Sequence, residues 1–539
     1  MTLRQAVRSG ADLALLFEKA HAVHSSGALA QAERRYKAIL DRDPQHFDAL
    51  HLLGFLNYQL GRPAQALRYL ASALKQDGHS PDLLSNYGLV LHALARNEEA
   101  ISAYDSALAL DPDNPDILNR LGVACLHLGR AEDALAAFDR VLSRDPAHIE
   151  AIGNRGNALL KLNRLDDAVA SYDAALQAGG VSARLLTNRA HVLRRLDRID
   201  EAVTDLRKAR SLEPVFAEAA FELGLAQLAL GDYENGWAHY ERRWETGAFI
   251  GQRRSFKSPL WTGAQSPKDR TILLHAEQGF GDTIQFVRYA PLLAQRGARV
   301  VLEVQPELHR LLARLSGVDR VVARGDKLPP FDLHCPLMSL PHAFKTTVAS
   351  IPAQTPYLSI AHPQRAKWAG VLPAGKPLVG ICWAGENSHR NDVNRSVPLA
   401  SFAKLWDGVD AHIVSLQYRP DDEARAFLRA CGNVTETSER LEDFVDTAAL
   451  ISCLDVVVTV DTAVAHLAGA LSVPTIVMLP RSADFRWLRM RDDSPWYPTV
   501  KLFRQPAHKD WDAVVAAARQ HLLNNFCVRR TAEASWAGL

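Results

Sequence analysis

Small and large apolar residues recur along the first half of the chain with a period of 34 positions. Three registers share this period. Such a spacing is typical of paired helices: small residues let the two helices of a pair approach closely, and a larger side chain fills the gap between units. The registers hold Gly54, Gly88, Gly122, Gly156, Ala190 and Gly224; then Ala32, Ala66, Ala100, Ala134, Ala168, Ala202 and Gly236; then Tyr36, Leu70, Tyr104, Phe138, Tyr172, Leu206 and Tyr240. Four units close at the same phase with Pro44, Pro112, Pro146 and Pro214, which we expect to start the next helix.

This 34-residue unit resembles the tetratricopeptide repeat, and we count seven units between residues 13 and 247. The resemblance implies an α-solenoid whose inner groove is lined by the first helix of each unit. Asn86, Asn154 and Asn188 share one position there, with Arg120 in the same register. Because an asparagine amide both donates and accepts, the row can pair with an extended peptide, and it resembles the asparagine row of O-GlcNAc transferases, which holds substrate polypeptide. The alternative is a set of solvated helix residues.

The end of the array differs from the other units. Trp237, Tyr240 and Trp244 stand at helical spacing where a terminal repeat usually turns a polar face to solvent. We therefore expect this unit to pack against the next domain. Residues 248–269, rich in Gly, Ser, Pro and basic side chains, are predicted to be a linker with little regular structure.

From residue 270 onward, short apolar runs alternate with helical patterns, which indicates parallel sheets covered by helices. The predicted strands are Thr271–His275, Ala298–Val304, Asp319–Val322, Phe331–His334, Leu378–Trp383, His412–Leu416, Asp455–Val460 and Thr475–Leu479. They form two Rossmann-like sets, residues 270–372 and 373–525, followed by a tail at 526–539. The fold class is thus an α-helical solenoid followed by an α/β pair of domains, with a ligand cleft expected between the two.

Composition narrows the function only a little. The chain of 539 residues is 47% apolar and 23% charged, as in ordinary soluble proteins, and its net charge of +1 argues against a nucleic-acid-coating protein. Six scattered cysteines without a CxxC pair indicate neither a disulfide framework nor a zinc site, and favour a reducing cytoplasm. No apolar run has the length of a membrane span, and we expect neither a metal nor a cofactor.

Three polar loops follow predicted strands and could meet in the cleft. The first is Gln278–Asp282, which contains Gly281 and Asp282; the second is Trp383–Arg395, a cationic loop with Arg390 and Arg395 as phosphate-binding candidates. The third, Asp461–His466, begins a helix whose free N–H groups suit an anion. Taken alone, each loop has a structural alternative: Asp282 and Asp461 as helix caps, His466 as a helix residue, and the cationic loop as a solvated surface.

Together the loops resemble glycosyltransferase family 9, the bacterial heptosyltransferases, which have the GT-B fold of two facing Rossmann-like domains. The resemblance covers residues 270 to about 525 and rests on the Gly281-Asp282 turn, on the Asp461-Thr462 turn followed by His466, and on Arg395 upstream of Pro398. The fusion of the repeats to such a domain, with the motifs HAEQGFGDTIQF, FDLHCPLMSLP, DTAALI, VDTAVAHLAGAL and SPWYP, resembles a bacterial group of repeat-containing glycosyltransferases. It implies that Asp282 is the general base on the acceptor hydroxyl. It also implies that Asp461, Thr462 and His466 hold the donor sugar and its diphosphate, and that Arg395 contacts phosphate. Gln417, Arg486 and Trp487 lie near strand ends and are further candidates for donor contacts.

The chain departs from the family pattern at two positions. Ala463 follows the Asp-Thr turn where the family has glycine, and Arg395 replaces a frequent lysine. The first domain is also shorter than in enzymes that act on lipopolysaccharide. The scheme implied is direct displacement from a nucleotide-sugar, inverting and metal-independent, with Asp282 as base and Arg395 at the leaving group. We predict a glycosyltransferase acting on a protein held by the repeats; the alternatives are a glycan or lipopolysaccharide acceptor, and a non-catalytic scaffold that binds nucleotide-sugar.

Overall fold

A computed structural model describes the backbone of residues 3–386 and 391–526 and the side chains of this range from residue 12 onward. The chain divides into two compact units, residues 1–192 and residues 193–539. Among the described residues, no helix is both long enough and apolar enough to cross a membrane.

Helices fill the chain from residue 3 to residue 240. Along the described chain they follow one another in seven pairs, as the 34-residue period predicts. They are α1 Leu3–Ser25, α2 Leu29–Leu40, α3 Phe47–Gln59, α4 Pro63–Leu74, α5 Pro81–Ala93, α6 Asn97–Leu110, α7 Pro115–His127, α8 Ala131–Arg144, α9 Ile149–Lys161, α10 Leu165–Gln177, α11 Ala183–Arg195, α12 Ile199–Leu212, α13 Ala217–Ala229 and α14 Tyr233–Tyr240. The boundary between the two units lies inside α11, so the last repeat belongs to the same compact unit as the α/β half.

The small residues of the repeat pattern lie where paired helices come closest. A Cβ atom on Gly122 would lie 2.5 Å from Phe138 Cε1, and one on Gly156 would lie 2.5 Å from Tyr172 Cε1. Heavy atoms do not pack at such distances. The first helix of a pair therefore needs a residue without a Cβ atom where the aromatic ring of the second helix covers it. This confirms the role that the sequence predicts for the small residues. The rings of Phe138 and Tyr172 cover the first helix of their own pair, whereas the sequence prediction places this register between units.

The role predicted for the repeat prolines is wrong. Pro112 and Pro146 lie in the turns three residues before α7 and α9 instead of starting those helices. The side chain of the residue just before each helix provides the cap: Asn114 Oδ1 accepts from Ile117 N at 3.2 Å, and the His148 ring accepts from Ala151 N at 3.2 Å. The side-chain caps therefore mark the helix starts better than the prolines do.

Ten parallel strands form two sheets in the described part of the second unit. The strands are β1 Thr271–His275, β2 Arg299–Val304, β3 Arg320–Ala323, β4 Leu333–Pro336, β5 Leu378–Cys382, β6 His412–Ser415, β7 Val434–Thr435, β8 Val456–Val460, β9 Thr475–Leu479 and β10 Val500–Arg504. The first sheet has the order β3-β2-β1-β4, and the second has the order β10-β9-β8-β5-β6-β7. All neighbouring pairs are parallel, as the alternating pattern predicts.

Helices connect these strands and cover both sheets. They are α15 Phe280–Phe286, α16 Ala290–Gln295, α17 Pro306–Leu312, α18 Leu340–Ala343, α19 His362–Ala369, α20 Asp392–Arg395, α21 Leu399–Phe402, α22 Asp422–Ala430, α23 Phe444–Ile451, α24 Ala463–Ala470 and α25 Trp511–Asn525. After the first strand and its glycine turn, the apolar pattern of the sequence predicts one helix over Thr283–Gln295. In the structure this helix begins earlier, at Phe280, and a short 3-10 turn at Val287–Tyr289 interrupts it before Pro291. Asp282 consequently lies inside the first turn of α15 and not at its start.

In each sheet, the chain first adds strands on one side of the first strand and then on its other side. We call the place between these two groups of strands the reversal point of the sheet. In the second sheet the chain adds β6 and β7 on one side of β5 and then β8, β9 and β10 on the other. In the first sheet it adds β2 and β3 beside β1 and then places β4 on the opposite side. Loops that leave neighbouring strands in opposite directions open a crevice at the carboxyl ends of those strands, and ligands of open α/β sheets bind there.

The predicted linker contributes to the first sheet. Trp261 N donates to His334 O at 2.8 Å, and His334 N donates to Pro259 O at 3.1 Å, so this segment runs along the outer edge of β4. The Trp261 side chain is 1% exposed, and its ring packs edge-on against Phe344. The segment has little regular structure, as predicted, but it covers a sheet edge that would otherwise be unpaired.

Candidate functional site

The reversal point of the second sheet is surrounded by two of the three predicted loops. Strand β5 ends at Cys382 and strand β8 ends at Val460, and the two strands are hydrogen-bonded neighbours with Cys382 opposite Thr459. The loop 383–395 therefore leaves one side of the crevice and the Asp461–His466 turn leaves the other. The strand order of the sheet thus brings these loops together.

Arg395 joins the two loops directly. Its Nη1 donates to the backbone carbonyl of Asp461 at 3.0 Å, and its Nε donates to Asp392 at 3.1 Å. The guanidinium lies against the backbone of Gly385, where any Cβ atom would collide with it. Its side chain is only 15% exposed, so a cation is held at the reversal point of the sheet. The other predicted cation of this loop, Arg390, lies outside the described residues.

The start of helix α24 is capped by Thr462 and not by Asp461. Thr462 Oγ1 accepts from Val464 N at 3.2 Å and lies 3.2 Å from Thr459 Oγ1. The structural alternative for Asp461, a helix cap, is therefore wrong, and its carboxylate has another environment. Burial and the neighbouring Asp484 carboxylate raise the pKa of Asp461 to about 6.

His466 occupies the interior face of α24. The ring stacks on Trp487 with centroids 5.3 Å apart, and Nδ1 lies 3.0 Å from the hydroxyl of Tyr497. Burial first, and then the nearby Arg486 cation, lower the pKa of His466 to about 3, so this ring is neutral at neutral pH. A Cβ atom on Gly281 would lie 2.8 Å from His466 Cδ2, which places the first predicted loop directly against α24. The glycine allows this close approach.

Asp282 faces both the turn that contains it and the second sheet. Its Oδ2 accepts from Gly279 N at 2.8 Å, so the cap that the sequence offers as an alternative role is present. Its other oxygen forms an ion pair with Arg486, which also donates to Asp484 at 2.6 Å. Although burial alone would lower the pKa of Arg486, the Asp484 and Asp282 carboxylates raise it. Asp282 is 20% exposed and Arg486 is 9% exposed, so the pair is largely shielded from water.

The three loops thus converge on one place within the second unit. Arg395 contacts the Asp461 turn, Gly281 contacts His466, and Arg486 bridges to Asp282. The carboxylate of Asp484 completes this cluster, but the sequence does not identify Asp484 as a site residue. The only sequence feature that could have identified it is its position after a predicted strand and two residues before Arg486. Tyr497 lies in the SPWYP motif, but its contact with His466 follows only from the fold.

Gln417 lies beside the crevice with its amide already engaged. Its Oε1 accepts from Ala384 N at 3.1 Å and its Nε2 donates to Ala384 O at 3.1 Å. This two-way pairing fixes the start of the loop 383–395 against the end of β6. In this structure Gln417 therefore shapes the loop that carries Arg395.

The predicted groove asparagines form a polar ladder in the first unit. Asn154 Nδ2 donates to Asn119 at 3.0 Å, and Asn188 Nδ2 donates to Asn157 at 3.0 Å. Asn86 Nδ2 lies 3.0 Å from the ring nitrogen Nε2 of His51 in the preceding repeat. Each of the three asparagines uses part of its amide to join the first helices of neighbouring repeats, and each remains partly exposed.

Comparisons with known proteins match both halves of the chain. The tetratricopeptide repeat model matches residues 17–81, 52–115, 88–149, 129–183, 154–203 and 187–243. The model of glycosyltransferase family 9 (heptosyltransferase) matches residues 342–488, a range that contains Arg395, Asp461 and Arg486 and begins after Asp282.

Among individual proteins, the chain is similar to protein FlbA of Caulobacter vibrioides, with 25% identity over an alignment of 314 residues; the match covers 53% of this chain and 51% of FlbA. The chain thus spans about half the length of the curated relative it matches. Similar solved structures include a tetratricopeptide repeat protein of Parabacteroides merdae (20% identity, 44% of this chain and 93% of that chain, TM-score 0.39) and MamA (25% identity, 30% and 94%, TM-score 0.28). Because both TM-scores are low, no functional argument follows from these structures.

Proposed function

For a chain that carries tetratricopeptide repeats followed by a glycosyltransferase family 9 region, we propose transfer of a sugar from a nucleotide-sugar to a hydroxyl group of a protein bound by the repeats. The family match supports glycosyltransferase activity, and the repeats support binding of a protein partner. The observation that carries the proposal is the contact between Arg395 and the Asp461 turn at the reversal point of the six-stranded sheet. This crevice combines a fixed cation with a helix N-terminus, a combination that suits a diphosphate.

The donor side follows from the charges at this crevice. Arg395 would exchange its bonds to Asp392 and the Asp461 carbonyl for bonds to phosphate oxygens, and the partial positive charge at the N-terminus of α24 would act on the same phosphates. Ala463 occupies the first position of α24, where its Cβ limits how closely a phosphate can approach. As the sugar leaves, negative charge grows on the diphosphate. The positive groups around it therefore stabilise the transition state more than they stabilise the bound nucleotide-sugar.

The acceptor side centres on Asp282. A carboxylate beside the donor crevice can accept the proton of the attacking hydroxyl, and direct displacement by that hydroxyl inverts the anomeric centre. Its oxygens are engaged by Gly279 N and by Arg486. We propose that Arg486 turns from Asp282 to the donor phosphates, which releases one carboxylate oxygen for the acceptor. This scheme assigns no step to a metal ion or cofactor.

The groove of the repeats is the proposed site of the acceptor polypeptide. The amides of Asn86, Asn154 and Asn188 are held in register by their neighbours and keep further donors and acceptors for a peptide backbone. A non-catalytic scaffold that binds nucleotide-sugar is the second candidate, because both oxygens of Asp282 are engaged. Loss of protein labelling from a radioactive nucleotide-sugar on changing the three asparagines to Ala would support a protein acceptor, and unchanged labelling would remove the groove from the proposal.

A thermal-shift screen over UDP-, GDP- and ADP-sugars tests the donor site. A bound donor stabilises the folded chain by mass action, by about 2.7 kcal/mol at a hundred times its dissociation constant. Arg395→Ala should abolish this shift. Arg425→Ala should keep it, because Arg425 also forms an ion pair with the aspartate three residues earlier but lies on α22. A full shift in Arg395→Ala would remove this residue from the donor site, and absence of any shift across the panel would contradict the proposal.

A further inference from the structure

The last helical repeat forms part of the α/β architecture. Helix α14 ends at Tyr240 and continues into the 3-10 turn Glu241–Glu245. The Trp237 ring packs edge-on against Phe286 of α15 and against Phe485, with centroids 6.1 and 5.6 Å apart. This confirms the prediction that the last unit packs against the next domain. The same repeat also contributes buried polar groups, and these are directed at the loop that contains Asp282.

Arg243 fills the reversal point of the first sheet. The loops that leave β1 and β4 diverge there, one carrying Glu277 and the other Ser339. The guanidinium is 0% exposed; it contacts Glu277 with both Nε and Nη2, at 3.1 and 2.9 Å, and it donates to Ser339 at 2.8 Å and to Glu241 at 2.7 Å. The place where an open α/β sheet usually receives a ligand is thus occupied by a side chain of the repeat array.

Tyr240 extends this contact into the turn itself. Gln278 Nε2 donates to the Tyr240 hydroxyl at 2.8 Å, and Gln278 O accepts from Gln305 Nε2 at 2.8 Å. Gln305 in turn accepts from the Thr283 hydroxyl at 2.9 Å. A hydrogen-bonded chain therefore runs from the repeat along the turn to the residue directly after Asp282.

The geometry assigns Tyr240 and Arg243 as positioning residues for Asp282. Gln278, the first residue of the Gln278–Asp282 loop, and Glu277, the residue directly before it, both form hydrogen bonds with the last repeat and the 3-10 turn that follows it. Since Asp282 lies four residues after Gln278, fixing the first part of the turn fixes the direction in which the carboxylate points. This inference rests on the proposed function for the role of Asp282, but the contacts of the turn can be tested without any donor.

Tyr240→Phe removes only the hydroxyl that holds Gln278. Tyr233→Phe is the matched control, since Tyr233 is buried on the same helix and its hydroxyl accepts from Trp496 Nε1 at 3.1 Å, away from the turn. Hydrogen–deuterium exchange of peptides covering residues 276–286 is measured on the full chain. Losing one net hydrogen bond should accelerate exchange of the turn amides by about five- to tenfold in Tyr240→Phe. We expect no change in Tyr233→Phe, and unchanged exchange in Tyr240→Phe would overturn the inference.

Arg243→Lys gives a second readout, because it keeps a cation beside Glu277 but loses the two-pronged contact. With the donor that the thermal-shift screen identifies, both variants should lower kcat about tenfold or more while UDP, GDP or ADP affinity stays within about twofold. A change in nucleotide affinity with unchanged kcat would contradict a positioning role. If no nucleotide binds the wild type, the proposed function is wrong. The hydrogen–deuterium exchange experiment still tests the contacts of the turn, because it needs no nucleotide.

Discussion

Replacing Gly281 by Ala tests a tight contact between the two α/β halves of the second unit. The new Cβ would lie 2.8 Å from His466 Cδ2, about 0.6 Å short of ordinary contact. The His466 ring is poorly placed to yield, because Trp487 stacks on one face and the Tyr497 hydroxyl holds Nδ1. The helix bearing Asp282 must therefore move away from α24.

The size of the effect follows from two opposing terms. Overpacking of a tight contact costs about 1–3 kcal/mol, whereas Ala in place of Gly inside a helix returns about 1 kcal/mol. We therefore expect a net loss of about 0–2 kcal/mol in the free energy of unfolding. The effect on sugar transfer should be larger, since a displacement near 1 Å of a catalytic group can reduce the rate by about a hundredfold.

Denaturant unfolding and sugar transfer are measured on the same preparations. Gly153→Ala is the control, because this glycine also lies in a helix but its Cβ would meet only Leu185 Cδ1 at 3.5 Å, an ordinary contact. The control should be neutral or more stable by about 0.5–1 kcal/mol with unchanged transfer. Wild-type stability together with wild-type transfer in Gly281→Ala would show that the turn does not touch α24.

Three further variants test separate parts of the structure. Asp461→Asn should raise the free energy of unfolding at pH 7 and leave it unchanged near pH 3. The pKa of Asp461 is about 6 in the folded chain and has the ordinary, lower aspartate value in the unfolded chain, so the charged carboxylate costs folding stability as the pH rises between these two values. An equal effect of the substitution at both pH values would contradict a raised pKa for Asp461. Trp261→Ala should cost about 3–5 kcal/mol in urea unfolding if residues 258–261 complete the first sheet, whereas a loss below about 1 kcal/mol would indicate a free linker. Gly156→Ala should destabilise the repeats by about 1–3 kcal/mol through its collision with Tyr172, and a neutral effect on thermal unfolding would contradict the helix pairing.

The sequence predicts the strands that are buried on both faces well. Thr271–His275 and Thr475–Leu479 have the predicted bounds, because an apolar run that ends in polar turn residues leaves little choice of register. Strands β7 and β10 are missed: β7 has two residues, and β10, Val500–Arg504, mixes apolar and charged residues at the edge of the sheet. Edge strands carry a weaker pattern since only one face is covered.

The local features of the candidate site are also visible in the sequence, but their partners are not. A polar residue after a buried strand identifies Asp461, and a glycine before an acid identifies the Gly281–Asp282 turn. The ion pair between Asp282 and Arg486 joins residues 204 positions apart, and hydrophobic periodicity carries no information on such a contact. Arg243 is a second example. From the sequence, a basic residue in a terminal repeat is expected at the surface, but in the structure Arg243 is buried beside Glu277.

The central claim, that Asp282 is the base of a sugar-transfer site, is tested most directly by sugar transfer in Asp282→Asn. An asparagine oxygen can still accept from Gly279 N, so the variant removes the charge while it keeps the cap of α15. With the nucleotide-sugar identified by thermal shift, transfer should fall by about a hundredfold or more while the thermal shift produced by that donor persists. Transfer at the wild-type rate would contradict the claim.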